Sequence, residues 1–332
     1  MTRELTGEAR AYRASDLAIL VPTKDRPHKM RDLLESLALQ TTPCGRIIVV
    51  DGGESIRDVV LAFADRLPVE HYICQPPGQI RQRNMAIGLL DDRTPLVASL
   101  DDDIVVEPTA IEEMIAFWNR APIETAGVSF NIVNMPAERH TWLTGFIGLT
   151  GPKPGRVLPS GRNTAILSVT EDVPAQWLCG GATVWRQVIL REFNNRERYA
   201  RWAMAEDLLF SYPIGKLYPM FVCAAAHVRH EHVFDHNIRM KYRYYGRTET
   251  LWRFAFVESH PELSRAAFLW LQVSTIVGRL GIGTLRGQWR QFQFAFGQIE
   301  GVCAGFLSLL RGRDVGALLV ETPAPRPTQR ST

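Results

Sequence analysis

The chain has 332 residues, of which 46% are hydrophobic and 22% charged, and its formal net charge at neutral pH is +3. These values exclude a disordered chain and are typical of a globular protein with one large domain or two modest ones. The five cysteines, at positions 44, 74, 179, 223 and 303, are too scattered for a zinc site or a small disulfide framework. We therefore expect reduced thiols in a cytoplasmic protein. The polar first residues predict no secretory signal.

Predicted strands and helices alternate over the first 118 residues. The strands are apolar runs that end at turn residues, and the helices carry apolar residues at helical spacing. The predicted strands are 17–21, 46–51, 71–75 and 96–100, and the predicted helices are 27–40, 56–67, 79–90 and one that ends near 118. Four β–α units with continuous apolar strands predict a mostly parallel sheet with helices on both faces. Ligands of such sheets bind at the carboxyl ends of the strands, where Thr23, Asp51, Gln75 and Asp101–Asp103 lie.

The second half of the chain is less regular. We predict strands over 126–133, 176–185 and 221–232, the second of them broken at Gly180 and Gly181. We also predict short helices over 186–193 and 204–212, and helices throughout 242–310. The Gly- and Pro-rich stretch 145–161 predicts mixed strands and a mobile loop. The chain then divides into an N-terminal extension (1–16), an α/β domain (17–235), a helical C-terminal region (236–320) and a disordered tail (321–332).

Three adjacent carboxylates, Asp101–Asp103, follow the fourth predicted strand in the run LVASLDDDIVVEP. They repel one another unless a positive charge lies among them. Mg²⁺ and Mn²⁺ take oxygen ligands and commonly use one or two carboxylates together with substrate phosphates. The run therefore predicts a divalent cation that carries a diphosphate. The same residues could instead end the strand and cap the helix that starts after Pro108.

Six segments, in this order, resemble the inverting glycosyltransferases of family 2, which have the GT-A fold. They are VPTKDRPHKMRDLLESLALQTTPCGRIIVVDGG, GQIRQRNMAI, SLDDDIVVEP, CGGATVWR, AEDLLF and HVRHEH, and they cover about residues 17–235. The resemblance implies a Rossmann-like sheet and the transfer of a sugar from a UDP- or dTDP-type donor to a hydroxyl. It also implies a carbohydrate or lipid-linked acceptor in the synthesis of surface polysaccharide or glycolipid.

On the donor side, the resemblance implies that Thr23 and Asp51 bind the nucleobase and ribose. Asp101 and Asp103 match the two ends of the family's DxD motif. Asp103 is the expected direct ligand of Mg²⁺ or Mn²⁺, and Asp101 is expected to lie nearer the ribose, also within reach of the metal. Asp102 fills the variable middle position and is counted with the donor-binding residues.

Two further segments complete the implied donor site. Arg83 and Asn84 match the family's ARN motif, which binds the diphosphate, although a solvated helix face is the alternative. Gly181, with Gly180, matches a loop whose backbone approaches the sugar. His230 best matches the metal- or diphosphate-binding histidine, with His232 second; His227 and His236 lie in the same cluster, which lacks the further ligands of a zinc site.

On the acceptor side, Asp207 matches the family's catalytic aspartate, which removes the proton from the acceptor hydroxyl. Glu206 is expected to orient Asp207 or to touch the acceptor, and the two roles could be exchanged. Acidic residues also favour the first turn of a helix, so a purely structural role is the alternative.

The C-terminal region is basic, with 13 Lys and Arg against 6 Asp and Glu from position 236 onward. The apolar segment 266–283 contains Arg279 and is too short to span a bilayer, so we expect a buried or interfacial helix. Aromatic residues alternate with arginines in these helices, namely Trp252, Phe254, Phe256, Phe268, Trp270, Trp289, Phe292 and Phe294. This pattern suits the inner face of the plasma membrane, and packing against the α/β domain or a homo-oligomer is an equal alternative. Nothing predicts nucleic-acid binding.

Two other functions remain open. A nucleotidyltransferase that makes nucleotide sugars would share the layout and the acidic metal site, but it needs a Gly-rich basic loop where this chain has PTKDRP. A catalytically inactive scaffold that binds nucleotide sugars is the other alternative. The joint presence of Asp101, Asp103, Asp207 and a histidine argues against it.

Overall fold

The computed structural model describes residues 11–136, 138–193, 206–231 and 242–321. His232 and His236 lie outside these residues, as does the tail from residue 322. The strands are β1 (Leu17–Thr23), β2 (Arg46–Asp51), β3 (Val69–Ile73), β4 (Leu96–Leu100), β5 (Ile104–Val106), β6 (Gly127–Ile132), β7 (Val173–Pro174), β8 (Ala182–Arg186) and β9 (Met220–His230). The helices are α1 (Pro27–Ala38), α2 (Arg57–Leu61), α3 (Gln79–Gly88), α4 (Ala110–Arg120), α5 (Trp142–Phe146), α6 (Gln187–Glu192), α7 (Glu206–Gly215), α8 (Tyr242–Glu258), α9 (Arg265–Arg286), α10 (Trp289–Leu310) and α11 (Ala317–Glu321).

All the strands belong to one sheet, in the order β3-β2-β1-β4-β8-β6-β9-β5, with β7 paired to β9. Strands β3, β2, β1 and β4 are mutually parallel. Strand β8 is antiparallel to both of its neighbours, β4 and β6. The prediction of a GT-A-like α/β fold with a mostly parallel sheet and C-terminal helices is confirmed.

Hydrophobic clusters cover both faces of the sheet, and β1 contributes to each. Leu17, Ile19 and Val21 point into a cluster that includes α1 and α4. Ala18 and Leu20 point into the opposite cluster, with α3, α6 and α7. This alternation follows from the two-residue period of a strand. It explains why the parallel strands read as continuous apolar runs.

Strand β5 was not predicted. Its three residues begin directly after Asp103, and they pair antiparallel with the end of β9, with Ile104 opposite His230. A run of three residues is too short to carry a period of its own. Its consequence is large, because it brings the last aspartate and the end of β9 together.

Several predicted bounds were wrong. The helix predicted over 56–67 ends at Leu61 and continues as turns. The strand predicted over 176–185 has its predicted break at Gly180 and Gly181, but only the part from Ala182 onward is a strand. The stretch 145–161 contains no regular strand, and only an isolated bridge joins Val157 to Asn163.

Helices α8 and α10 pack closely through glycines. A Cβ atom at Gly297 would lie 1.9 Å from the carbonyl oxygen of Arg243, and one at Gly246 would lie 2.2 Å from that of Phe294. Only glycine permits this approach. Between these helices and α9, a cluster of buried residues that includes Leu251, Phe254 and Phe268 forms a hydrophobic core of its own. The division of the chain at residues 16, 235 and 320 stays a prediction.

The aromatic residues of this region fall into three groups, of which one, Phe292 and Phe294, is half-buried. Trp252, Phe254, Phe256 and Phe268 are buried, so for these four the membrane interpretation is wrong and the packing alternative holds. Trp270 and Trp289 are exposed.

Helices α9 and α10 have 22 residues each, and within the described part of the chain they are the two that are long and apolar enough to cross a membrane. Ser264 caps the start of helix α9, and Gly287, which has a left-handed φ of 60°, caps its end. Only 22% of the most apolar 18-residue stretch of this helix is buried. The helix is therefore longer and more exposed than the segment predicted from the sequence.

We expect Phe254→Ala to lower the free energy of unfolding by about 3–5 kcal/mol, because it empties a buried aromatic site. The Phe254 ring lies 4.9 Å from the ring centroids of both Phe268 and Phe306. Urea denaturation measures the change. Phe296→Ala, at an exposed position of α10, should shift stability by no more than about 0.5 kcal/mol. Equal effects of the two substitutions would contradict the helical core described above.

Candidate active site

A tight turn between β4 and β5 carries the three aspartates. The backbone N–H of Asp101 donates to the carbonyl of Gly181 at 2.9 Å, and the N–H of Ile104 donates to the carbonyl of Asp101 at 3.2 Å. The turn separates Asp101 from the other two carboxylates, Asp102 and Asp103, which share Nη1 of Arg26 at 3.0 and 3.4 Å. Each is matched by at least one positively charged or hydrogen-bonding side chain, which removes the repulsion expected from the sequence.

Arg83 joins the first aspartate to the acidic pair at the start of α7. Its Nη2 donates to Oδ1 of Asp101 at 2.8 Å, and its Nη1 donates to Oε1 of Glu206 at 3.3 Å. Burial lowers the pKa of Arg83, but the negative charges of Asp101 and Glu206 outweigh that effect and the net pKa is raised. The guanidinium is therefore a fixed cation in the middle of the site. Gln79, which sequence reasoning missed, also donates to Oδ1 of Asp101 at 3.0 Å.

Gly180 and Gly181 provide the space for this arrangement. A Cβ atom at Gly181 would lie 2.1 Å from Oδ2 of Asp101, and one at Gly180 would lie 3.3 Å from Nη1 of Arg83. A side chain at Gly181 would displace the aspartate. The structure shows this backbone close to Asp101 and Arg83, and its predicted approach to the sugar stays a prediction.

Asp207 follows Glu206 at the N-terminus of α7, and it borders the same cavity as Arg83 and Asn84. Its Oδ1 accepts a hydrogen bond from the backbone N–H of Leu208 at 2.8 Å. Burial raises the pKa of Asp207, and the Leu208 hydrogen bond and the charge of Arg83 oppose this only in part. A carboxylate with a raised pKa is a stronger proton acceptor than an ordinary one.

Asp102 is buried and ties the turn to the end of β1. Its Oδ2 accepts from Oγ1 of Thr23 at 2.7 Å, and its Oδ1 accepts from Nη1 of Arg26 at 3.0 Å. Burial raises the pKa of Asp102, and the contacts with Thr23 and Arg26 oppose the rise. Asp102 thus has partners within the protein, and one of them is the hydroxyl of Thr23, which donates its hydrogen bond to Asp102. Arg26 was not predicted, although its position in PTKDRP, directly after β1, was the available signal.

Asp103 and His230 form the pair of residues suited to a metal. Oδ1 of Asp103 lies 3.1 Å from Nε2 of His230, and the hydrogen bond to Asp103 raises the pKa of His230 against the effect of burial. Asn134 fixes the histidine backbone, because its Oδ1 accepts from the N–H of His230 at 2.9 Å. Among the described residues, no group of three or more His, Cys, Asp or Glu side chains could hold a metal ion alone. A carboxylate and an imidazole do fit Mg²⁺ or Mn²⁺ that takes its remaining ligands from substrate phosphates.

Asp51 is completely buried at the end of β2. Its Oδ1 accepts from the N–H of Gly53 at 2.9 Å and its Oδ2 from the N–H of Ile56 at 3.0 Å. The carboxylate therefore shapes the loop after β2, and its predicted contact with a nucleobase stays a prediction. Gln82, also missed, donates through Nε2 to the carbonyls of Thr23 and Val50, both at 2.7 Å. It locks the ends of β1 and β2 together.

Comparison with known proteins identifies the family and the fold. The family model described as "Glycosyl transferase family 2" matches residues 18–190, which is more than half of the chain. No curated protein matches the sequence. Among solved structures, the chain is similar to TarS of S. aureus, with 16% identity and a TM-score of 0.51 over 92% of this chain and 50% of TarS.

The chain thus spans about half the length of that TarS structure. A structure of TarS residues 1–349 in complex with UDP has 15% identity and a TM-score of 0.47 over 90% of this chain and 92% of that one. At such identities the first of these likenesses establishes the fold alone, whereas the family match extends over every predicted site residue except those on α7 and β9. The chain belongs to glycosyl transferase family 2.

Proposed function

We propose that the protein transfers a sugar, with inversion, from a UDP- or dTDP-type nucleotide sugar to a hydroxyl acceptor. Family membership supports the reaction class, and the related fold of TarS has been solved with UDP and with UDP-GlcNAc. The observation that carries the proposal is the contact of one guanidinium, Arg83, with both Asp101 and Glu206. It unites a set of phosphate-binding groups and a candidate base in one cleft.

The donor side is built from Arg83, Arg26, Asp103 and His230. A guanidinium binds phosphate oxygens through two parallel hydrogen bonds. Arg26 pairs with Asp102 and Asp103 and is half exposed, so a ligand can reach it. Asp103 and His230 would hold Mg²⁺ or Mn²⁺, which when bound offsets the negative charge that develops on the leaving nucleoside diphosphate. Asp51 would act on the nucleobase through the loop that it orders.

On the acceptor side, Asp207 would remove the proton from the attacking hydroxyl. Inversion requires the base to lie on the face of the sugar opposite the leaving group. Glu206 pairs with Arg83. Within the part of the chain that the structure describes, only Oδ1 of Asp207 accepts a hydrogen bond from another residue, and burial raises the pKa of Asp207. We therefore assign the base to Asp207 and an orienting role to Glu206.

Incubation of the protein with Mn²⁺, UDP- or dTDP-sugars and candidate acceptors tests the reaction class. We expect release of the nucleoside diphosphate. Release of pyrophosphate from a nucleoside triphosphate and a sugar phosphate would instead support the nucleotidyltransferase. Binding of donor with no turnover on any acceptor would support the inactive scaffold.

Asp207→Asn should lower kcat by about 100- to 10,000-fold and leave the donor Kd nearly unchanged, because a general base acts in the transition state. In the wild type, activity should fall as the pH drops through the raised pKa of Asp207, above the ordinary value of about 3.9 for aspartate. That acidic limb should vanish in the variant. A twofold loss of kcat with an unchanged pH profile would refute the assignment.

Asp103→Ala should abolish the dependence of nucleoside diphosphate binding on Mn²⁺, because it removes the carboxylate of the pair with His230. Calorimetric titration of UDP with and without Mn²⁺ measures this dependence. Glu231→Gln is the matched control, since Glu231 is adjacent to His230 but pairs with Arg229. Persistence of the Mn²⁺ effect in Asp103→Ala would exclude the proposed ligand.

We further propose a cytoplasmic enzyme whose helices α9 and α10 rest on the inner face of the membrane, where a lipid-linked acceptor in polysaccharide or glycolipid synthesis would lie. Between Arg265 and Arg286 the only charged residue is Arg279, and its guanidinium lies 3.8 Å from the ring centroid of Phe294, between the helices. The exposed side of α9 is therefore uncharged. Exposed apolar residues cover it and the start of α10, namely Trp270, Val273, Val277, Ile282, Leu285 and Trp289.

Cosedimentation with vesicles of neutral and anionic phospholipid should show stronger binding to the anionic vesicles, because Arg286 and Arg290, next to Leu285 and Trp289 in the sequence, are exposed. This binding should fall as salt is raised. The double variant Leu285→Ser, Trp289→Ser should lose most of this binding. Leu39→Ser, at an exposed position of the α/β domain, should keep it. Binding that ignores both the lipid charge and the double substitution would remove the membrane proposal.

A further inference from the structure

A second polar cavity lies away from the cleft, among α8, α9, α10 and the loop that leads to Arg162. Its volume is about 100 Å³, whereas one buried water needs about 10–15 Å³ on the same measure. The cavity is therefore large enough for a small oxyanion and a few waters. Its lining residues are Leu149, Arg162, Glu249, Thr250, Arg253, Leu271, Gln272, Thr275, Arg279 and Gln298.

The charges around this cavity are unbalanced. Three guanidiniums, from Arg162, Arg253 and Arg279, face one carboxylate, that of Glu249. Glu249 lies 3.5 Å from Nη1 of Arg162 and 3.7 Å from Nη2 of Arg253. These contacts leave an excess of two positive charges. Charge of one sign that is removed from water is costly unless a counter-charge accompanies it.

Two of these arginines have N–H groups that donate no hydrogen bond within the described part of the chain. Nε of Arg162 and Nε of Arg279 are buried and have no hydrogen-bond partner among the described residues. Nη1 of Arg253 donates to the carbonyl of Gly161 at 2.6 Å, which fixes the floor of the cavity. Burial, reinforced by the charge of Arg162, lowers the pKa of Arg253 to about 10 although Glu249 acts in the opposite direction. Burial likewise lowers the pKa of Arg279.

We propose that this cavity binds a phosphate group. Guanidiniums bind phosphate oxygens with strong, directional hydrogen bonds, and a phosphate monoester carries a charge of about −1.5 to −2 at neutral pH, which matches the excess. Arg162 and Glu249, whose side chains are 32% and 33% exposed, form the mouth, and Arg253, at 9%, forms the floor. The site belongs to the C-terminal helices and does not depend on the proposed sugar transfer.

Two sources could supply this phosphate, a free ion or the headgroup of a lipid. A lipid is a candidate source because Leu271 of the lining lies on α9, the helix that exposes Trp270 and other apolar residues.

Calorimetric titration with inorganic phosphate, without added metal, tests the site. It is carried out on the wild-type protein, and phosphate held by the proposed donor site is the part of the binding that survives the double substitution Arg162→Gln, Arg279→Gln. We expect saturable binding. Arg162→Gln or Arg279→Gln should each weaken binding at the cavity by about 10- to 100-fold, the usual effect of losing a charged hydrogen bond. Arg286→Gln, at an exposed position on the same helix, should leave the Kd unchanged.

Glu249→Gln distinguishes a phosphate-binding site from a loss of binding that is caused by damage to the fold. Removal of the single carboxylate should tighten phosphate binding several-fold, an effect that partial unfolding cannot imitate. Tighter binding of dihexanoyl phosphatidic acid than of inorganic phosphate would identify a lipid source, and the reverse order would identify the free ion. Absence of saturable binding of either probe, or weaker binding in Glu249→Gln, would overturn the proposal.

Discussion

A single buried guanidinium organises the site. Arg83 on α3 contacts Asp101, which follows β4, and Glu206, which begins α7. Glu206 is buried and Asp101 is partly exposed, and the guanidinium between them offsets their mutual repulsion. The arginine thus joins the start of α7, and with it Asp207, to the turn after β4. The donor and acceptor halves of the proposed reaction are held together by one side chain.

The turn between β4 and β5 is the second constraint. Its short strand pairs with β9 and sets Asp103 against His230. Asp102 turns inward to Thr23, and Asp101 turns toward Arg83. Three consecutive carboxylates therefore meet three separate needs, namely the joint with β1, the contact with Arg83 and the pair with His230. In the proposed donor site, Asp102 therefore has a structural role, and Asp103 would hold the metal.

Local patterns predicted most of the sheet, because each parallel strand is an apolar run bounded by turn residues. The β4 bounds, for example, agree with the sequence prediction. Contacts between segments that are distant in the chain could not be predicted from local sequence patterns. Gln82 and Asn134 support the site only because the fold brings strand ends together, and β5 is too short to show a period. The membrane interpretation was wrong for the buried aromatic residues of α8 for a related reason. Periodicity does not reveal that a second helix, α10, packs against α8.

We propose that Arg83 and the pair Asp103–His230 bind one diphosphate. The decisive measurement is a crystal structure of the protein with UDP and Mn²⁺. We expect a diphosphate oxygen at about 3 Å from the Arg83 guanidinium. We also expect the anomalous signal of manganese next to Asp103 and His230. A diphosphate bound away from Arg83, or manganese bound elsewhere, would contradict it.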